Sequence, residues 1–210
     1  MKSKPVKYIV YIVIAAFVLY NSVYFKKLDE VRDGTARMFD ATGFTDKLWK
    51  DKLPLKMDSA IELTAYLQML QSNPAAAFEK YSNALAIGNY RYSLVKTAAT
   101  VTAINEDDMD LAMDNHGSTI NVKLATEFIY GNAIRDASKL VDVKDFTNST
   151  DLNNISEAFN KKVKAEVLPS FKATVKKRSR IQVVAAVEMN KEHMKLDGLE
   201  LIPVQIQILP

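Results

Sequence analysis

The stretch that most constrains the fold is 121–136, NVKLATEFIYGNAIRD, where the hydrophobic period of the chain changes. Ile120, Val122 and Leu124 alternate with polar neighbours, Phe128 and Tyr130 carry the same parity onward, and Gly131-Asn132 breaks it ahead of a helix. Two period-two segments come before. Residues 90–104 are rich in Tyr, Val and Thr, and Met109, Leu111 and Met113 then alternate with Asp108, Asp110 and Asp114. Asn105-Glu106-Asp107 and Asn115-His116-Gly117 supply the turns between them. Beyond the stretch, Leu152, Ile155, Phe159, Val163 and Val167 form one helical stripe, with Asp151 as its expected cap and Leu168-Pro169 as its expected end. Ile181, Val183, Ala185, Val187 and Met189 alternate next. After the Asp197-Gly198 turn, so do Ile202, Val204, Ile206 and Ile208, with Pro203 on the opposite parity as at a strand edge.

Three strands, a helix and two strands is the order of an OB barrel. The fold class expected is α+β, mainly β: a five-stranded OB-type barrel over 89–210 with a helix between strands three and four. The length of the third strand implies strong bending, as closure requires. A stalk and helical neck are expected over 26–88. Thr42 or Thr45 is expected to cap a helix that Pro54 ends, and Met57, Ala60, Ile61, Thr64, Leu67 and Leu70 mark a second helix over 55–71. Asn73-Pro74 then pairs an N-cap residue with proline at N1.

Residues 8–25, YIVYIVIAAFVLYNSVYF, carry no charge. A helix of that length spans about 27 Å, near the hydrocarbon thickness, with tyrosines toward both ends. No small-x-small cleavage site follows the run. The expectation is a short cytoplasmic tail over 1–7, an uncleaved transmembrane signal-anchor over 8–25, and the remainder outside the cytoplasm. Orientation rests on the short lysine-rich head, Lys2, Lys4 and Lys7, because Lys26, Lys27, Arg32 and Arg37 follow the span.

The net charge of +3 belongs to that head: residues 1–27 hold five lysines and no acid, which leaves 23 basic against 25 acidic side chains in 28–210. The folded part therefore has no global attraction for nucleic acid, and none is expected as a partner. With no cysteine, disulfides, thiolate metal sites and a cysteine nucleophile are excluded.

The runs FIYGNAIRDA (128–137), DFTN (145–148) and NSVYFKKL (21–28) resemble a bacterial family labelled predicted periplasmic lipoprotein. The resemblance covers nearly the whole chain, and GNAIRDA is its most specific piece. It implies a secreted OB barrel, an extracytoplasmic location and a loose association with sugar-transport systems. The chain departs from the label in lacking a lipid-bearing cysteine, so that a protein anchor replaces a lipid one. The family has no assigned activity.

Gly131, Asn132, Arg135 and Asp136 are the candidate ligand-binding residues, since an arginine fork beside a carboxylate and an amide holds carboxylates or sugar hydroxyls. The structural alternative is that Arg135 and Asp136 lock the end of the barrel. Asp107, Asp108, Asp110 and Asp114 lack the glycine and distal glutamate of a calcium loop. His116 and His193 match no zinc spacing, so no metal or cofactor is expected. Residues 161–180 carry eight basic side chains against Glu166 alone, a solvated face or a contact for anionic lipid or glycan. Trp49 is expected to pack, with sugar stacking as the alternative. No nucleophile elbow, Walker loop, zincin helix or Rossmann glycine run is present. The leading expectation is a non-catalytic binding domain, accessory to a membrane system handling a saccharide or small solute. The alternatives are a structural protein-interaction module and a hydrolase built from distant carboxylates.

Overall fold

The computed structural model describes residues 4–22, 39–115 and 117–210. They fall into two compact units, divided at Phe39/Asp40. The first contains helix α1 (Lys4–Ser22), whose side chains such as Ile12 and Phe17 are exposed. The membrane-spanning helix expected over 8–25 is not found as such. Among the described residues no helix is long and apolar enough to cross a membrane, and residues 23–25 of the run lie outside them. The stalk over 26–38 and His116 also lie outside the described residues.

The second unit begins with α2 (Ala41–Lys47), capped by Asp40, whose Oδ1 accepts from the Gly43 N–H at 2.9 Å. Neither Thr42 nor Thr45 caps it, and Thr45 is fully buried inside the helix packing. Pro54 does not stop this helix. The chain passes through a π-helical turn (Leu48–Lys52), in which the Leu53 N–H reaches back to Leu48 O, and continues as α3 (Leu53–Asp58). Proline lacks an N–H and its ring crowds the carbonyl four residues back, and a locally widened turn relieves that clash. The expected helix over 55–71 is interrupted by β1 (Ile61–Glu62), which pairs with Val95 and Lys96. Its continuation, α4 (Leu63–Ser72), buries Leu63, Tyr66, Leu67 and Leu70 on one stripe. Asn73 caps α5 (Pro74–Tyr81), with its Oδ1 accepting from Ala76 N at 3.1 Å and Pro74 in the first turn. The short β2 (Ser82–Asn83) pairs with Tyr92 and Ser93.

The five long strands are β3 (Tyr90–Ile104), β4 (Asp108–Asn115), β5 (Ser118–Ala125), β6 (Arg180–Asn190) and β7 (Glu200–Ile208). Their hydrogen bonding runs β3-β4-β5-β7-β6 and returns to β3, so the ladder closes on itself. β3 serves two neighbours: it pairs with β6 from Tyr90↔Asn190 to Thr100↔Arg180, and its last residues pair with β4 across a bulge between Val101 and Ala103. The strong bending expected of the third strand thus falls on the first of the five. β5 ends at Ala125, because the N–H groups of Thr126 and Glu127 both turn to Asp107 O; Phe128 and Tyr130 stand exposed instead of continuing the strand. Pro203 sits opposite Ala185, beside a register shift, so the missing N–H falls at an irregularity of the ladder.

The core fills this closed sheet with Val95, Met109, Leu111, Met113, Leu124, Ile181, Val183 and Leu201, completed by α4 and by Phe171. Tyr66 Oη, Ser82 Oγ and Ser93 Oγ form a buried triangle at 2.7–2.9 Å, which satisfies three hydroxyls the core would otherwise penalise. The connecting segment holds α6 (Ala133–Ser138), α7 (Ser149–Lys162), a second π-helical turn (Val163–Val167) and α8 (Leu168–Thr174). Asn148, not Asp151, caps α7: its Oδ1 accepts from Asp151 N at 2.9 Å. Leu168-Pro169 does not end the helix but follows a widened turn, as Leu53-Pro54 does. α8 supplies Phe171 to the core, while α7 packs against α2, with Phe159 6.3 Å from the Trp49 ring.

Phe159→Ala removes a fully buried ring from this helical layer and is expected to lower the unfolding free energy by about 3–5 kcal/mol, measured by chemical denaturation. A loss below about 1 kcal/mol would show that the layer collapses around the cavity.

Candidate functional site

The chain leaves β5, passes Gly131 with φ of +76°, and enters α6, all six of whose residues are buried. Glycine suits that left-handed backbone because it has no Cβ to clash. Asp136, fully buried, is the centre. Its Oδ1 accepts from Arg135 Nε at 2.7 Å, and its Oδ2 accepts from Asn132 Nδ2 at 2.9 Å and Leu85 N at 3.3 Å. Its main-chain carbonyl accepts from Asn83 Nδ2 at 3.0 Å. Arg135, 5% exposed, donates its Nη1 to Leu152 O of α7 at 3.0 Å. Asn160 of α7 donates to Gly131 O at 2.9 Å. The four residues expected as a site are thus brought together, and the Arg135–Asp136 pair is engaged by main chain from both sides.

Burial and the charges of Glu188 and Asp136 push the Tyr92 phenol up to about 12, so it remains neutral beside this cluster. A neutral phenol donates rather than repels, which is what a site next to a buried carboxylate needs.

Gly131, Asn132 and Arg135 line a cleft of about 660 Å³ that is also lined by α7, on which Asn153 and Glu157 are exposed and Ser156 and Asn160 buried. That size is ordinary for a small-molecule site. Asn153, Ser156 and Asn160 project into it from one helical face, with Glu157 and Lys161 beside them and exposed Tyr130 opposite. Asp136 is not among the lining residues; it acts from behind. The α7 residues carry no motif and were missed by sequence reasoning. Their signal was the spacing of amides and hydroxyl at 153, 156 and 160, three and four residues apart on the polar side of an apolar stripe.

The other candidates are placed elsewhere. Asp108 and Asp110 face Lys123 at 2.6 and 3.7 Å, and hydrogen bonds from Asn105 and Lys123 hold the Asp108 carboxyl below its ordinary range. Asp108, Asp110 and Asp114 lie at alternate positions of β4, which pairs with β5. His193 borders a second cleft of about 390 Å³ with Glu188 and Asp197. Among the described residues, no group of three or more His, Cys, Asp or Glu is placed to hold a metal ion. The basic run over 161–180 is partly neutralised: Lys161 pairs with Glu157, Lys172 with Glu127, and Lys162 with both Asp46 and Glu166. The Lys162 ammonium also lies 5.9 Å from the Trp49 ring, so the lone tryptophan is held in helix packing.

A family profile described as "Predicted periplasmic lipoprotein (DUF2291)" matches residues 13–207. The chain belongs to that family. The GNAIRDA run that carries the resemblance is the segment knotted around Asp136. The lipid-bearing cysteine implied by the family label has no counterpart here, since the chain has no cysteine. Among solved structures, the crystal structure of an OB-fold protein from Thermotoga maritima is similar over 82% of this chain and 100% of that one, at 25% identity and a TM-score of 0.71. This agrees with the strand order of the closed sheet. No curated protein matches the chain.

Asp136→Asn leaves the Arg135 guanidinium buried without its counter-charge. The expected loss is about 3–5 kcal/mol in chemical denaturation, far above a surface substitution. An unchanged denaturation midpoint would show that Arg135 is satisfied by Leu152 O alone.

Proposed function

We propose that this chain is a membrane-held, extracytoplasmic, non-catalytic binding protein that takes a polyhydroxylated solute, a saccharide, in the cleft between Tyr130 and α7. The observation that carries this reading is the composition of the cleft wall: Asn132, Asn153, Ser156, Glu157 and Asn160 opposite an aromatic ring that is 71% exposed. Amides both donate and accept, as a sugar hydroxyl does, and a carboxylate accepts two hydroxyls at once. An exposed tyrosine offers a flat apolar face for the C–H side of a sugar ring. Asp136 fixes Asn132, and Asn160 fixes the Gly131 carbonyl, so the rim is pre-organised and little side-chain entropy is lost on binding.

The sequence contains none of the common catalytic motifs, and recognition alone accounts for the residues of the cleft. The uncharged run over 8–25 after a lysine-rich head supports retention at the inner membrane as a single-pass signal-anchor, with the folded unit in the periplasm. A protein placed there to hold a saccharide serves a sugar-transport system as an accessory.

A ligand raises thermal stability in proportion to the logarithm of its excess over Kd. Across a panel of mono- and oligosaccharides, at least one is expected to raise Tm by several degrees. Tyr130→Ala and Asn153→Ala, both at exposed positions, are expected to abolish that shift while leaving the unliganded Tm unchanged. No shift across the panel, with a transporter subunit co-purifying, would replace this reading with a purely structural interaction role. For location, protease added to spheroplasts is expected to digest residues 40–210; protection of that region without detergent would overturn the extracytoplasmic assignment.

A further inference from the structure

A smaller pocket of about 250 Å³ shares no residue with the Tyr130 cleft and lies where the ends of three helices meet. It is lined by Lys56 from the last turn of α3, Lys80 from the last turn of α5 and Lys139 just past α6, together with Ser59, Tyr81 and Ser138. No acidic side chain lines it. Like most lysines of the fold, Lys56, Lys80 and Lys139 form no ion pair among the described residues; what sets them apart is that they line one pocket. Lys139 Nζ donates to the main-chain carbonyl of Lys80 at 3.1 Å, and Lys80 Nζ lies 5.0 Å from the Tyr81 ring centroid; Lys80 and Lys139 are exposed and Lys56 is half-buried.

Helix C-termini attract cations, and that accounts for part of the arrangement. Each terminus carries at most about half a negative charge, and less for helices this short, so three termini leave about +1.5 or more unneutralised. Partial burial and the neighbouring Lys56 ammonium pull the Lys139 ammonium below its ordinary range, as expected of a cation lacking its counter-ion. The backbone gives a second, independent sign. Lys139 holds φ 55° and ψ 29°, the left-handed position after a helix that glycine ordinarily fills. A non-glycine residue there is strained, and strain of this kind gathers at ligand sites.

We propose that Lys56, Lys80 and Lys139 form an anion site that takes one phosphate group, carried by a soluble phosphomonoester or by a phospholipid headgroup. Lysines act on phosphate as point charges without the planar demand of arginine, which suits three stems converging from different helices. The pocket is below the size of an ordinary small-molecule cleft and fits the phosphate alone, the remainder of the ligand lying outside.

The test is calorimetric titration of the full chain in neutral detergent micelles with inorganic phosphate, at ionic strength matched with chloride. Saturable binding is expected. Lys139→Gly, which suits the backbone, and Lys56→Gln are each expected to weaken it about tenfold or more, as loss of one charged hydrogen bond does. Lys177→Gln, on the exposed turn before β6, is expected to leave it unchanged. Glycerol 3-phosphate binding more tightly than inorganic phosphate assigns a soluble monoester, and dihexanoyl phosphatidylglycerol binding more tightly assigns a headgroup. Absence of saturable binding, or a Kd that neither Lys139→Gly nor Lys56→Gln alters, overturns the proposal. Because this pocket shares no residue with the Tyr130 cleft, its failure would leave the saccharide reading untouched.

Discussion

A single buried carboxylate sits where three distant parts of the chain meet. Asp136 takes an arginine from its own helix, an amide from the turn before it and a main-chain N–H from the segment that follows β2. A charge placed wholly out of water costs several kcal/mol unless its lone pairs are used. Here an amide, a main-chain N–H and a guanidinium use them. The guanidinium in turn spends a second N–H on α7. The pair therefore contributes less as an attraction than as a positional demand: any arrangement that separates the 83–85 segment, α6 and α7 strands a charge.

Around that point the closed sheet and its helices meet by two devices. One is the ladder itself, whose ends are abolished because β3 pairs with both β4 and β6. The other is a repeated solution to a proline inside a helix. At Leu53-Pro54 and at Leu168-Pro169 the preceding turn widens instead of ending, and each helix continues in a shifted register. Both widened turns contribute residues to one groove that β7 also lines, Trp49 and Lys50 from the first and Glu166 and Val167 from the second.

Much of this was legible in the residues. Alternation at 109–113, 120–124 and 181–189 reports a wet face and a dry one, and those strands lie where the pattern puts them. The pattern failed where a non-local hydrogen bond decides. Phe128 and Tyr130 continue the parity of β5, but Asp107 O captures the next two N–H groups and turns the chain outward. The prolines misled in the same way, since composition shows that a helix is interrupted but not whether it resumes. At the site, the motif 131–136 marked the right loop, while the partners that give it meaning, Leu85 and Leu152, are ordinary leucines acting through their backbones. No sequence pattern identifies a backbone atom.

The register of the longest ladder carries a consequence for how the molecule comes into being. Tyr90 finds its partner at Asn190 and Thr100 at Arg180, and the ring is sealed only when Leu201 reaches Leu124. Pairings so distant along the chain are slow, because loop closure precedes any reward. A polypeptide made from its N-terminus must therefore carry Leu111, Met113 and Leu124 unsealed until β7 has emerged. Because β7 alone bridges β5 and β6, a chain without that strand is not a smaller protein but an open one.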